Sequence, residues 1–270
     1  MNPFATLPVG TQLRAWRQRR HLSQLDLSVD AEVSTRHLSF VETGRAMPSR
    51  EMVLRLADRL EVPLRERNRL LGAAGFAPMY VERPLDDPSM AQARAAVEQI
   101  LKAHEPFPAL AVDRYWNLVF HNAAAGALLQ MGLAPELLRP PVNVLRISLH
   151  PQGLAPRIVN LVQWRAHLFE RLRHQVAVTA DCTLAALAAE LAAYPAPLHD
   201  GAATFLPNDS IVVPLVLDTP SGQLSFISTM TVFGTPVEIT LSELALETFF
   251  PADAATAQAL RFAAKAREAG

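Results

Sequence analysis

The sequence predicts an α+β protein: an all-α N-terminal domain of five helices, then an α/β domain built on an antiparallel sheet. Three observations carry that reading. Residues 22–44, LSQLDLSVDAEVSTRHLSFVETG, hold two helix starts and a helix stop in quick succession. Residues 76–90, FAPMYVERPLDDPSM, are rich in proline and acid, which marks a linker. In the last third, IVVPLVLD and QLSFISTMTVF flank TPSG, a turn with Pro and Gly, and should pair as a hairpin. The 270 residues, 50% hydrophobic, suit one large or two ordinary domains. The boundaries read as 1–76, then 77–104 as linker and connecting helix, then 105–270.

Residues 10–20, GTQLRAWRQRR, place Leu13, Trp16, Arg17 and Arg20 on one helical face. A buried arginine needs a carboxylate, and Glu42 is the candidate; the alternative is that Arg17 reaches solvent along its stem. Ser23 caps the next helix, with Asp26 completing a capping box and Leu22 set to staple against Leu27. After a turn through Asp30, Ala31 and Glu32, Ser34 caps a further helix, Val33 staples against Leu38, and Gly44 ends it. Leu38, Val41 and Glu42 share its inward face, while Thr35, Arg36, Ser39, Phe40 and Thr43 point elsewhere. An outward Arg can donate two bonds to a guanine edge, Ser and Thr can contact bases or phosphates, and a Phe can meet a thymine methyl. One such helix alone is more simply an amphipathic helix with a solvated face. Two capped helices around a tight turn read as a DNA-reading device. Ser49 then caps a fourth helix, and Pro63 opens a fifth that ends at Gly75.

The net charge of -1 hides an asymmetry. Residues 1–80 hold 12 Lys+Arg against 8 Asp+Glu, and the remainder 13 against 18. The local excess supplies phosphate attraction, which dimerisation would double. No apolar run is long enough to span a bilayer, and MNPFATLPVG lacks the basic and apolar regions of a signal peptide, so a cytoplasmic location and no membrane partner are expected. Cys182 is the only cysteine, which excludes an internal disulfide and a Cys-based metal site.

Beyond the linker, a helix is expected over 90–104, then a β-hairpin feeding a helix over 109–129, with Asn122 as its cap. His121 there reads as an edge or solvent histidine, with a ligand contact as the alternative. One long helix is expected over 154–174 with the stripe Ile158, Leu161, Trp164, Leu168, Leu172, and a second, Ala- and Leu-rich one over 183–194, packed on the sheet. In the last strand pair, neither face of 223–233 is strongly polar. Helices on one side and a partner or ligand on the other would explain that. Thr240 with Glu243 suggests a capping box and a short helix through ELALETFF, although a strand also fits; Asp253 caps the last helix.

The five-helix pattern with LSQLDL, VSTRHLSFVETGR and MPS resembles the Xre/Cro/phage-repressor class of helix-turn-helix domains over residues 10 to about 75. The resemblance implies a lambda-repressor-like fold, a DNA contact at Gln24, major-groove contacts from Thr35, Arg36 and Phe40, and an internal Arg17–Glu42 pair. With their neighbours these give a candidate DNA-binding set of Gln24, Ser34, Thr35, Arg36, His37, Ser39, Phe40 and Arg45. The order of strands and helices resembles a PAS-like sensor fold. RERNRLLGAAGFAPMY, PALAVDRYWNLVFHNAAA, NVLRISLHPQGL, NLVQWRAHLFERLRH and TVFGTPVEITLSELALETFFPAD are similar to the MmyB-like ligand-binding domain found behind Xre-type domains in bacteria; Glu238 stands where an Asp is expected. That resemblance implies a small hydrophobic, fatty-acid-like effector. Leu118, Phe120, Asn122, Trp164, Leu168, Phe226 and Met230 are the candidate ligand contacts.

The chain thus reads as a sequence-specific transcriptional regulator with a double-stranded DNA operator, a small hydrophobic effector and a homodimer partner. No G-x-S-x-G, Walker loop, dinucleotide fingerprint or HExxH occurs, so no catalytic residue, cofactor or metal ligand is assigned. The rival readings are a ligand-free dimerisation domain, an enzyme fused to a DNA-binding domain, and a haem or flavin sensor using His121 or His167.

Overall fold

The computed structural model describes residues 7–195, 212–220, 222–234 and 238–269. The chain divides into two compact units. The first is Met1–Arg83 with His174–Ala185 and Pro236–Ser242; the second is Pro84–Arg173 with Ala186–Thr235 and Glu243–Gly270.

The first unit contains α1 (Val9–Arg19), α2 (Gln24–Asp30), α3 (Thr35–Glu42), α4 (Arg50–Arg59), α5 (Leu64–Ala73) and, late in the chain, α11 (Ile239–Ser242). Ser23, Ser34 and Ser49 cap α2, α3 and α4 by accepting from the backbone N–H of Asp26, His37 and Met52, and Ser23 and Asp26 complete the reciprocal box. Helices α1 to α5 also end alike. The residue after each C-cap is left-handed: His21, Glu32, Gly44, Glu61 and Gly75. The following N–H then reaches back five residues, as from Leu22 to Arg17 (3.2 Å), Val33 to Ser28 (2.9 Å) and Val62 to Ala57 (2.8 Å). At four of the five, the return turns an apolar residue, Leu22, Val33, Val62 or Phe76, onto a core containing Leu13, Leu27, Leu38, Leu56 and Leu70; at α3 the residue is Arg45. Helix α1 approaches α3 closely because position 10 has no side chain: a Cβ on Gly10 would stand 1.9 Å from the carbonyl oxygen of Val41.

The first half of the linker is fixed rather than free. The Asn68 side chain accepts from the N–H of Met79 (2.9 Å) and Tyr80 (3.0 Å) and donates to the carbonyl of Tyr80 (2.6 Å). Val81 then bridges Glu238, whose carboxylate accepts from Arg83 N–H (2.8 Å) and caps α11 through Leu241 N–H (2.8 Å). The expected Thr240–Glu243 box does not form. Glu238 takes the capping role, Thr240 donates to the Arg83 carbonyl (2.6 Å), and Glu243 accepts from Arg114 (2.9 Å).

In the second unit, β1 (Ala109–Val112), β2 (Leu118–His121), β3 (Leu215–Thr219), β4 (Gly222–Val232) and β5 (Ala245–Pro251) form one antiparallel sheet in the order β2-β1-β5-β4-β3. The expected hairpin pairs Leu215 with Phe226, although the strand begins at Leu215, and Ile211 and Ser221 lie outside the described residues. ALETFF is not helical. It is the central strand, hydrogen-bonded to β1 on one side and β4 on the other, and this two-sided pairing outweighs the local helical pattern. Both faces of the sheet carry helices, not one as expected. Val97 and Leu101 of α6 (Ala91–Ala103) pack on Ala109, Ala111 and Leu246. The opposite face meets α7 (Ala123–Leu129), α8 (Val144–Leu149) and α9 (Leu161–Thr179).

The expected helix over 154–174 starts late. Pro156 sits in a 3-10 turn, Ile158 bridges Leu217, Val159 N–H donates to Val216 (2.9 Å), and the buried Asn160 side chain bonds Pro214 (2.8 Å) and Val216 (3.1 Å). Residues 158–160 thereby serve as an edge for β3, and α9 begins only after them. Helix α10 (Cys182–Ala192) was expected on the sheet, yet its hydrogen-bonded anchors are helices. Arg146 of α8 donates two bonds to Glu190 (2.7 Å each), and Arg165 of α9 caps the carbonyls of Leu191, Ala192 and Tyr194. The last helix, α12 (Ala254–Ala269), is capped by Asp253 and tied to β4 through the Thr256 hydroxyl, which accepts from Ser225 N–H (3.0 Å).

Candidate functional site

The outer face of α3 collects most of the expected DNA contacts. Ser34, Arg36, His37 and Arg45 are exposed; Gln24, Thr35, Ser39 and Phe40 are half-buried. Phe40 lies between two arginines, its ring centroid 5.4 Å from the Arg36 guanidinium carbon and 6.0 Å from that of Arg45. An aromatic face attracts each cation with roughly 0.5–1 kcal/mol at an exposed site. Phe40 therefore gathers two guanidinium forks onto one patch. Thr35 is partly spoken for: its hydroxyl lies 2.8 Å from that of Ser28, which joins α3 to α2.

Behind this face sits the ion pair. Arg17 donates to both oxygens of Glu42 at 2.7 and 2.8 Å and to the Leu22 carbonyl at 2.8 Å, and the Glu42 side chain is 1% exposed. The bond to Glu42 raises the pKa of Arg17 above its ordinary value, so the guanidinium stays charged. Gln24 donates one amide N–H to the same carboxylate at 2.7 Å. An amide nitrogen has two hydrogens, so a second donor remains, aimed by the first.

The second candidate site is a cavity of about 80 Å³ on the α7–α8–α9 face of the sheet. Trp164, Leu168 and Phe226, three of the seven expected ligand residues, line it. Phe120 and Asn122 face a separate open groove of about 940 Å³. Leu118 lines neither, and Met230, near the far end of β4, is 40% exposed. The Asn122 amide is consumed internally: it accepts from Ala109 (3.0 Å) and Ala125 (2.9 Å) and donates to Leu101 (3.2 Å) and Phe107 (2.8 Å), so it caps α7 and ties it to β1.

The cavity wall is apolar apart from His121, Ser148 and Glu247. Sequence reasoning missed the last two. Ser148 accepts from the indole of Trp164 at 2.9 Å, and Glu247 accepts from Arg171 at 2.9 Å, with the Arg171 guanidinium carbon 4.8 Å from the Trp116 ring. A carboxylate inside the apolar run ALETFF was the available signal, because it demands a cation once the strand is buried. His167, 5.5 Å from the Trp164 ring, is pushed below its ordinary pKa by burial and then by Arg171, against the opposing pull of Glu247. Among the described residues, no cluster of three or more His, Cys, Asp or Glu could hold a metal ion, and no helix is long and apolar enough to cross a membrane.

These two sites meet two family models. A helix-turn-helix domain matches residues 8–70, and the MmyB-like transcription regulator ligand binding domain matches residues 93–263. A DNA-reading head and a ligand-binding body in one chain define a ligand-sensing transcription regulator. Because the second match spans more than half of the sequence, the chain belongs to the MmyB-like family of such regulators. No curated protein matches it.

Proposed function

We propose that the protein binds a two-fold symmetric operator as a homodimer in the cytoplasm, and that a small hydrophobic, fatty-acid-like effector in its C-terminal domain alters that binding. The observation that carries the reading is one chain holding both an arginine-bearing outer face on α3 and a cavity lined mostly by apolar side chains. Arg36 is the base reader, Arg45 and the second amide hydrogen of Gln24 take phosphates, and Phe40 sets the arginines. The sheet order β2-β1-β5-β4-β3 under covering helices supports the PAS-like reading of the body.

The cavity volume supports one mode of sensing. Ligand pockets span about 300–1,000 Å³, far above the 80 Å³ present here. A bound effector must push the walls apart, and the swollen domain is then the conformation it prefers; an effector with equal affinity for both conformations would shift nothing. The same small volume favours a second reading, a plain dimerisation domain with no ligand. The test is to extract the purified protein, identify any retained small molecule by mass spectrometry, select its operator from fragmented genomic DNA, and titrate one against the other. A retained or added amphiphile that changes operator affinity supports the sensor. No retained molecule and no thermal shift with fatty acids and similar amphiphiles would replace it with the dimerisation domain.

A further inference from the structure

The cavity and the open groove share a single lining residue, His121, at the end of β2. Two features hold its ring. Its Nδ1 lies 2.9 Å from the carbonyl oxygen of Asn122, and since a carbonyl can only accept, Nδ1 carries the proton. The ring also fills the space left by Gly126 on α7: a Cβ there would stand 3.0 Å from the ring carbon Cε1 and 3.1 Å from Nδ1. One exposed side chain, held by one hydrogen bond and one missing methyl, thus stands between the apolar cavity and the open groove.

The groove on the outer side has its own chemistry. Of the two carboxylates among its described lining residues, Glu98 pairs with Arg94 (4.0 Å) and Glu105 with Arg267 (3.8 Å). Lys102, Arg261 and Lys265 line the same groove and have no carboxylate partner among the described residues. The groove is thus positive where the cavity is apolar, and the polar groups inside the cavity, Ser148 and Glu247, are engaged with Trp164 and Arg171.

Resting on the reading that the domain takes an apolar effector, we propose that groove and cavity form one site for an anionic amphiphile. Its single apolar tail passes His121 into the cavity, and its anionic head stays in the groove among Lys102, Arg261 and Lys265. His121 is the gate. The second way in, past Leu128, which lines the cavity and an apolar groove beside α12, offers only Arg267, already paired with Glu105, to a head group.

The test uses the full chain with cis-parinaric acid and its methyl ester, followed by stopped-flow fluorescence. The acid should bind about fivefold or more tightly than the ester, as expected for surface ion pairs. The Lys102→Ala/Arg261→Ala/Lys265→Ala triple variant should erase that preference, and the Lys102→Ala/Lys265→Ala double variant should reduce it. His121→Ala should raise both the association and dissociation rates of both probes several-fold, Gly126→Ala should act in the same direction by displacing the ring, and His121→Trp should slow both rates. Probes that bind with an acid-to-ester ratio unmoved by the triple variant, or with rates unmoved by His121→Ala and Gly126→Ala, overturn the groove and gate but leave the cavity reading standing. Rates that respond to Leu128→Trp and not to His121→Trp do the same. If neither probe binds the wild-type protein, the cavity reading falls and this proposal with it.

Discussion

The helix-turn-helix region and the sheet domain solve opposite problems. The first carries its candidate DNA contacts on its outside: short helices with local caps hold Arg36, Phe40 and Arg45 on the outer face, and the apolar interior supports them. The second has its candidate site inside, in a cavity between strands and helices distant in sequence, lined by residues such as Leu110, Trp164 and Phe249. A surface site survives small errors of packing, whereas an interior site is made of packing. The two regions should therefore respond differently to the same kind of change.

The largest expected effect is at the one place where the outer site depends on a buried charge. Glu42→Ala leaves Arg17 without its carboxylate and Gln24 without its aiming bond, and should cost the N-terminal region roughly 3 kcal/mol, since breaking a buried pair strands a charge. The measurement is the thermal midpoint of that region. A midpoint that does not move would mean that solvent compensates the pair. Arg36→Ala comes next and should leave stability alone. It should cost on the order of 1–3 kcal/mol in operator affinity and relax sequence preference, while Gln24→Ala weakens operator and random DNA alike. Equal losses on both DNAs for Arg36→Ala would remove it as a base reader.

A smaller change sharpens the comparison from the other side. Leu168→Phe adds volume to the cavity wall. If the 80 Å³ void is real working space, the protein should gain up to about 1 kcal/mol and lose probe binding; a solid core would instead lose about 1–3 kcal/mol to overpacking. At the outer region, Glu61→Gly should gain less than about 1 kcal/mol in thermal stability, because glycine relieves a left-handed φ of 48° at the end of α4 at some cost in unfolded-state entropy. A loss would show that the Glu61 side chain makes a compensating contact.

The same contrast explains what could be read in advance. Helix starts at Ser23, Ser34 and Ser49 were legible because a cap is a local event. Helix ends were legible only at Gly44 and Gly75. His21, Glu32 and Glu61 adopt the same left-handed turn with no glycine to announce it, carried by the apolar residue that follows each. In the sheet domain, ALETFF and residues 158–160 were misread for one reason: partners far along the chain, β1, β4 and β3, decide their conformation. On β4, Phe226 of the expected face lines the cavity. Position along the strand was not legible, and Met230, four residues on, lies outside it. His121 read as an edge or solvent histidine with a contact as the alternative; it is exposed at the end of β2, and only the register that sets it opposite Leu110 places it also on the cavity wall.

The smallest expected effects are in pH dependence, and they divide the sheet domain internally. His167 is held below its ordinary 6.5 by burial and Arg171, so the folded state prefers the neutral ring. The stability from that preference is complete above pH 6.5 and is lost as pH falls through the depressed value. Glu190 lies below its ordinary 4.5 because Arg146 bonds its carboxylate, so its contribution is present above 4.5 and disappears on further acidification. Tyr194, which donates to Glu190 at 2.7 Å, is pushed up from 10.0 to about 12 by burial and that bond, so its contribution is complete below pH 10 and is lost between 10 and 12. Three windows follow, each assigned to one side chain. Hydrogen exchange over residues 161–192 of the full chain should show protection weakening just below pH 6.5, and His167→Gln should flatten that step alone. Glu190→Gln should flatten the lower step alone, and Tyr194→Phe the step above pH 10. A His167→Gln profile that keeps the step below 6.5 would place its origin outside the wall beside Trp164, and with it any pH sensitivity of the cavity.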